Sequence, residues 1–161
     1  MIGPTTEELL NDGRQSETAL CVQRGTGRLL RTLGFSLVTE MPLASGRRAD
    51  IVALSPKGDF WIVEIKSSLA DLRADGKWPD YRTHCDRLYF AAPPDLGRDI
   101  FPAEAGFIAA DSYGAEILDE APEHRMAGAT RKAMTLRFAR LAALRLHALA
   151  DPAARFDDGS L

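Results

Sequence analysis

The chain has 161 residues, of which 45% are hydrophobic and 27% are charged, and its formal net charge at pH 7 is −3. This length allows one domain with a sizeable core, and the composition is that of a globular protein without membrane-spanning helices. The charge excludes a uniformly basic nucleic-acid binder, so any such role requires a local basic face.

Residues 16–33 are predicted to form the first helix, because Ser16 is a suitable N-cap and Gly34 a suitable C-terminal stop. One face is apolar and includes Leu33, which predicts packing against a sheet. Arg24 and Arg28 lie on the other face. They are interpreted either as a solvated surface or as contacts for phosphate groups.

Alternating and continuous apolar runs predict six strands in the rest of the chain. The strands are expected at 35–40, 48–54, 60–66, 87–92, 105–110 and 115–118, with the last one short. A polar stretch at 67–76, a short helix at 79–85 and a long helix at 130–150 complete the order. This order predicts a mixed α/β protein in which helices flank a central mixed sheet.

The second and third strands are predicted to form a hairpin around a turn at Ser55–Asp59. If Leu54 faces Phe60, then Asp50 faces Glu64 on the same side of the sheet. Lys66 lies two residues further on, also on that side. A turn one residue shorter would place Asp50 on the opposite side, so this register is a prediction.

Three ionisable groups thus gather at one end of two apolar strands. Two adjacent carboxylates, Asp50 and Glu64, are unfavourable without a cation between them. Mg²⁺ accepts one or two protein carboxylates together with waters and phosphate oxygens. A neighbouring lysine, Lys66, could orient a water or stabilise a phosphate. The alternative is a salt-bridged strand end without chemistry.

These residues resemble the D…ExK core of the PD-(D/E)XK nuclease superfamily and, more closely, the MmcB family of bacterial DNA-repair proteins. The similarity extends from about Ser16 to Asp151. It is carried by Gly46 to Asp50 (GRRAD), Glu64 to Ser68 (EIKSS), Asp75 to Tyr81 (DGKWPDY), Cys85 to Ala91 (CDRLYFA) and Thr130 to Arg140 (TRKAMTLRFAR). We therefore expect a flexible arm at 1–15, a single nuclease-like domain at 16–151 and a frayed tail at 152–161.

The resemblance implies a metal-dependent phosphodiesterase site. Asp50 and Glu64 would bind Mg²⁺ or Mn²⁺ together with the backbone carbonyl of Ile65, and Lys66 would position the attacking water. Related nucleases carry a glutamate in the first helix where this chain has Gln23. A neutral amide cannot act as a base, and Glu40 at the end of the first strand is a candidate substitute.

Contacts to DNA are expected from side chains around this site, namely Arg24, Arg28, Arg47, Arg48, Lys77 and Tyr81. The alternative for the last two is a solvated lysine and a half-buried tyrosine. Trp78 is interpreted as a core residue, with a base-stacking platform as the alternative. Asp71 and Asp75 are interpreted as helix-end or loop charges, with an active-site role as the alternative. The three histidines and the two cysteines show no metal-binding spacing.

Three functions are compatible with the sequence. The first is a nuclease acting on damaged, branched or single-stranded DNA, for which the three site residues are all present. The second is a non-catalytic DNA-binding or scaffold subunit on the same fold, which Gln23 and the net acidity favour. The third is a purely structural ionic cluster, which the cost of burying charges disfavours. A homodimer or a repair-protein partner, and a cytoplasmic, nucleoid-associated location, are expected for the first two.

Overall fold

A single mixed β-sheet forms the centre of the protein, as the sequence predicts. The structure is a computed structural model that describes residues 16–154. The strands are β1 (Ser36–Pro42), β2 (Arg48–Leu54), β3 (Phe60–Ile65), β4 (Arg87–Ala92), β5 (Gly106–Ala110) and β6 (Ala115–Asp119), and they lie side by side in chain order. The first three are antiparallel, β3 to β5 are parallel, and β6 is antiparallel to β5. Strands β2 and β3 are therefore interior strands.

Helices cover both faces of this sheet. They are α1 (Glu17–Thr32), α2 (Leu69–Ala74) and α3 (Gly128–Ala150), with 3₁₀ turns at Trp78–His84, Pro94–Leu96 and Arg98–Ile100. Helix α1 buries Val22 and Leu30 in the core on one face. Helix α3 and the first 3₁₀ turn pack on the other face, where Phe138 and Tyr81 join a second core cluster.

The first helix begins where the sequence predicts and packs unusually closely on the sheet. The Ser16 hydroxyl accepts a hydrogen bond from the Ala19 N–H at 3.2 Å, which caps the helix. A Cβ atom at Gly25 would collide with the carbonyl oxygens of Asp111 and Gly114, so only glycine fits there. The prediction that Leu33 is buried is wrong, because it follows the last helical turn and is 46% exposed.

The predicted hairpin register is confirmed. Leu54 pairs with Phe60 and Ile51 pairs with Val63, so the next facing positions along the two strands are those of the two predicted carboxylates. The turn closes through a hydrogen bond of 2.9 Å from the Ser55 N–H to the Asp59 carbonyl, and a glycine with a φ of +90° completes it. The turn length fixes which side chains face each other at the far end of the hairpin.

Strand β1 changes direction beside the same end of the sheet. Glu40 has a φ of +51°, in the left-handed region that few non-glycine residues adopt. Val38 and Met41 are three residues apart, yet both pack in the core beneath α3, so the alternation of faces is broken between them. The irregularity lies next to β2 between the pairs Thr39–Ile51 and Met41–Ala49, at the level of Asp50.

A buried aspartate joins the sheet to the beginning of α3. Asp86 accepts hydrogen bonds from the backbone N–H groups of Phe60 at 2.8 Å and Met126 at 2.9 Å. Its two oxygens also accept from the guanidinium of Arg131, at 2.8 and 2.6 Å. These four donors hold the pKa of Asp86 at about 2, in spite of its burial.

Two predictions lie at the limits of the described residues. The flexible arm at 1–15 and the tail from residue 155 fall outside them, and residues 152–154 form a turn after α3. Between residues 16 and 154 no helix combines the length and the apolar character needed to cross a membrane.

Candidate active site

A polar cleft of about 300 Å³ opens at the end of β2 and β3 where the hairpin register places Asp50 and Glu64. Its wall contains Arg48, Asp50, Glu64, Ile65, Lys66, Ser67, Asp71 and Tyr81, together with Ser16 and Ala19 from the beginning of α1. A larger, mostly apolar groove of about 590 Å³ runs beside α3, but no acidic residue lines it. The predicted acids and lysine therefore meet in the smaller cleft.

The two carboxylates are fixed by each other's backbone. The Ile65 N–H donates to Oδ2 of Asp50 at 2.8 Å, and the Asp50 N–H donates to Oε1 of Glu64 at 3.2 Å. These two hydrogen bonds, which cross between β2 and β3, hold both side chains close together at the mouth of the cleft.

Burial makes this pair electrostatically unfavourable. Burial raises the pKa of Asp50, and the hydrogen bond from Ile65 and the positive charge of Lys66 only partly oppose this shift. Burial and the neighbouring negative charge of Asp50 raise the pKa of Glu64 well above its usual value. A pair of acids in this state gains stability from a proton or from a cation placed between them.

Lys66 lies beside the pair but is bonded elsewhere. Its backbone N–H continues the parallel ladder by donating to the Ala91 carbonyl at 2.9 Å. Its Nζ atom is 2.7 Å from Oδ2 of Asp75. Burial alone would lower the pKa of Lys66, but the hydrogen bond and charge of Asp75, with the charges of Asp71 and Glu64, raise it. Lys66 is therefore a cation at neutral pH.

Asp71 and Asp75 belong to the site, which the sequence interpretation understated. Both are helix-end charges as predicted, because Asp71 lies in the first turn of α2 and Asp75 follows its last residue. Asp71 also lines the cleft, where its Oδ2 accepts from the Ser67 N–H at 3.0 Å. The four-residue spacing of Asp71 and Asp75 could have indicated that both lie near the site. Showing this required the path of the helix that connects them.

Tyr81 forms one wall of the cleft. Its hydroxyl donates to the Arg48 carbonyl at 3.1 Å, and its ring is buried against the core. Burial, with the negative charges of Glu64 and Asp50, raises its pKa, so the hydroxyl keeps its proton. Tyr81 therefore borders the cleft, and its contact with DNA stays a prediction.

The arginines beside the cleft are engaged with acids. Nη2 of Arg47 is 3.0 Å from Asp80, and Nε of Arg48 is 2.6 Å from Oε2 of Glu40. Glu40 does not line the cleft, so the structure gives no support for its use as a third acid. Of this group, Arg48 alone forms part of the cleft wall.

The remaining predicted site residues lie further away. Gln23 is half-buried on α1 and is not part of the cleft wall, which α1 supplies through Ser16 and Ala19. Arg24 is exposed on α1, and Arg28 donates to the Tyr113 carbonyl next to β6. The exposed Lys77 is not part of the cleft wall either. The roles predicted for these residues stay predictions.

Trp78 is a core residue, as expected from the sequence. Its ring meets that of Phe90 edge to face with centroids 5.8 Å apart. The histidines and cysteines join no cluster of three or more potential metal ligands anywhere between residues 16 and 154.

Comparison with known proteins identifies the family of the chain. Residues 6–153 match the family described as "DNA repair protein MmcB-like". The chain belongs to this family. A solved structure, described as a protein of unknown function, SPO1766, from Silicibacter pomeroyi, is 42% identical with a TM-score of 0.83, and the match covers 88% of this chain and 97% of that one. No curated protein matches the chain.

Family membership indicates a role in DNA repair, and the donor set of the cleft agrees with a divalent cation. Two carboxylates are too few to supply all the ligands of a metal ion. They suit Mg²⁺ or Mn²⁺, which keep waters and phosphate oxygens as further ligands. The mixed sheet with its acids at the ends of two interior strands is consistent with the nuclease superfamily that the motif resembles.

Proposed function

We propose that this MmcB-like protein is a divalent-cation-dependent phosphodiesterase that cleaves DNA during repair. The observation that carries the proposal is the pair Asp50 and Glu64. Glu64 is buried and Asp50 is half-buried, both have a raised pKa, and both face a cleft that is open to solvent. An arrangement that costs folding free energy is expected where a ligand uses it.

Asp50 and Glu64, with the Ile65 carbonyl, would hold Mg²⁺ or Mn²⁺, and the ion would neutralise charge that develops on the phosphate. Lys66 has three N–H donors, of which one points to Asp75. The other two can bind a phosphate oxygen or orient a water. The neutral Tyr81 hydroxyl and Arg48 form the wall along which a DNA strand would lie.

The test is cleavage of plasmid, single-stranded and branched DNA in the presence of Mg²⁺ or Mn²⁺. Asp50→Asn, Glu64→Gln and Lys66→Met are each expected to lower the rate by about a hundredfold or more, because each removes a group at the reacting centre. Glu116 is exposed on β6, three strands away from β3 in the sheet, so Glu116→Gln is the matched control. DNA that stays intact with wild-type protein under all these conditions would rule out the nuclease.

One observation favours a second candidate, a DNA-binding subunit without catalysis. Helix α1 meets the cleft through Ser16 and Ala19, neither of which is an acid, and Gln23 stands one turn beyond. A site with two carboxylates binds a cation more weakly than one with three. Binding of branched or single-stranded DNA without cleavage, and with unchanged affinity after Lys66→Met, would identify this function.

A further inference from the structure

The lysine of the site is turned towards an acid outside the carboxylate pair. Nζ of Lys66 is 2.7 Å from Oδ2 of Asp75, and the two side chains are only 8% and 14% exposed. Among the residues that the structure describes, no ion pair within 4.0 Å connects Lys66 to Asp50 or to Glu64. The ammonium group of Lys66 therefore pairs with Asp75 and not with either acid of the carboxylate pair.

Asp75 is itself held from both sides. Its Oδ1 accepts from the Lys77 N–H at 3.0 Å, and its own N–H donates to the Leu72 carbonyl at 3.1 Å. Leu72 packs against the core beneath α3, and the 3₁₀ turn that carries Tyr81 begins immediately after Lys77. The Asp75 carboxylate therefore has little freedom to move together with Lys66, and it fixes the position of the Lys66 ammonium group.

On the basis of the proposed function, we propose that Asp75 is a positioning residue that holds Lys66 away from Asp50 and Glu64, which leaves the carboxylate pair open to a divalent cation. Without this anchor the flexible ammonium group would turn towards the pair, since opposite charges in a partly buried cleft attract strongly. Lys66 would then compete with the cation, and its donors would no longer point to the phosphate.

The direct test is the metal-free crystal structure of Asp75→Asn. The amide oxygen can still accept from the Lys77 N–H, while the charge that attracts Lys66 is removed. The Lys66 Nζ atom is expected to lie within 4.0 Å of a carboxylate oxygen of Glu64 or Asp50. If it keeps its wild-type position, the proposal is overturned. Asp71→Asn removes an equal charge from the same cleft and should leave Nζ on Asp75. If Asp75→Asn does not fold, Asp75→Ser retains an oxygen for the same N–H.

A double-mutant cycle on Mn²⁺ affinity tests the consequence. Isothermal titration is compared for wild type, Asp75→Asn, Lys66→Met and the double variant. Asp75→Asn should weaken Mn²⁺ binding about tenfold when Lys66 is present and about twofold when it is replaced, a coupling typical of residues in contact. Equal weakening in both backgrounds overturns the proposal, because Asp75 would then act only through its charge. Asp71→Asn should show that equal weakening.

These results separate the two proposals. If wild-type protein does not bind Mn²⁺, the metal-dependent function is refuted, and the position of Lys66 in the metal-free Asp75→Asn crystal still tests the anchor. If DNA is cleaved and Mn²⁺ binds, but the cycle shows no coupling, the anchor alone is refuted. Asp75→Glu, which keeps the charge, should retain the wild-type affinity.

Discussion

Replacing Glu64 with glutamine is expected to stabilise the metal-free protein while removing its response to divalent cations. The Glu64 Oε1 accepts from the Asp50 N–H, and a glutamine oxygen can keep that bond. What disappears is the repulsion between the buried Glu64 carboxylate and the half-buried Asp50 carboxylate. Facing Cβ atoms of an antiparallel pair are about 5 Å apart, and at an effective dielectric constant of about 20 two unit charges at that distance repel by about 3 kcal/mol.

Part of this gain is lost in practice, because the wild-type pair can relax by sharing a proton. We therefore expect Glu64→Gln to raise the free energy of unfolding by about 2 kcal/mol at pH 8, or the melting temperature by about 4–8 °C for a domain of this size. The folded-state pKa of Glu64 lies above its unfolded value of 4.5. The contribution of Glu64 to wild-type stability is thus fully present below pH 4.5 and is lost as the pH rises through the raised pKa, so the advantage of the variant should grow over that window.

The assay is thermal unfolding in chelator and in Mn²⁺, with Glu116→Gln as a surface control that should change stability by less than about 0.5 kcal/mol. Mn²⁺ at a hundred times its Kd should stabilise wild-type protein by about 2.7 kcal/mol and the variant much less. A variant that melts below wild type in chelator would refute the reasoning, because it would show that the Glu64 carboxylate stabilises the fold.

Three further outcomes follow from other parts of the structure. Asp86→Ala should lower the free energy of unfolding in urea by about 4 kcal/mol at pH 7, because Arg131 and two backbone N–H groups lose their acceptor. This loss should shrink as the pH falls from 3.8 through about 2. Asp99 is exposed, so the control Asp99→Ala should change stability little. Gly25→Ala should lower the free energy of unfolding by about 2 kcal/mol or more, because the new methyl group collides with two carbonyl oxygens. Gly27→Ala meets no atom within 4 Å and should raise it slightly. Equal effects of the two variants would contradict the close packing at Gly25. Gln23→Glu should change Mn²⁺ affinity less than twofold, and a tenfold rise would place Gln23 at the site after all.

The sequence predicted those features that depend on neighbouring residues. The apolar runs around Ser55–Asp59 predicted the hairpin register that the structure confirms, and this register places Asp50 opposite Glu64. Strands β2 and β4 were predicted to the residue, because turn or proline signals bound them. The resemblance then supplied the family and the role of the lysine. All of these inferences use either short-range patterns or sequence blocks that can be compared directly with a family.

The features that were missed depend on the path of the chain between elements. The pairing of Lys66 with Asp75 requires α2 to turn back over the end of β3, which no local pattern specifies. The left-handed residue Glu40 gives no sequence signal, since glutamate rarely adopts that conformation. Asp86 lies directly before β4, yet its four donors come from β3, from residue 126 and from α3.

The contrast between the buried acids of this protein separates a structural role from a functional one. Asp86 is surrounded by four donors, including a guanidinium, and its pKa is lowered to about 2. The same fold leaves Asp50 and Glu64 with backbone donors and raised pKa values, and it turns the nearest ammonium group, that of Lys66, towards Asp75. Because the fold can satisfy a buried acid with its own donors, as it does at Asp86, the raised pKa values in the cleft support the proposed divalent cation.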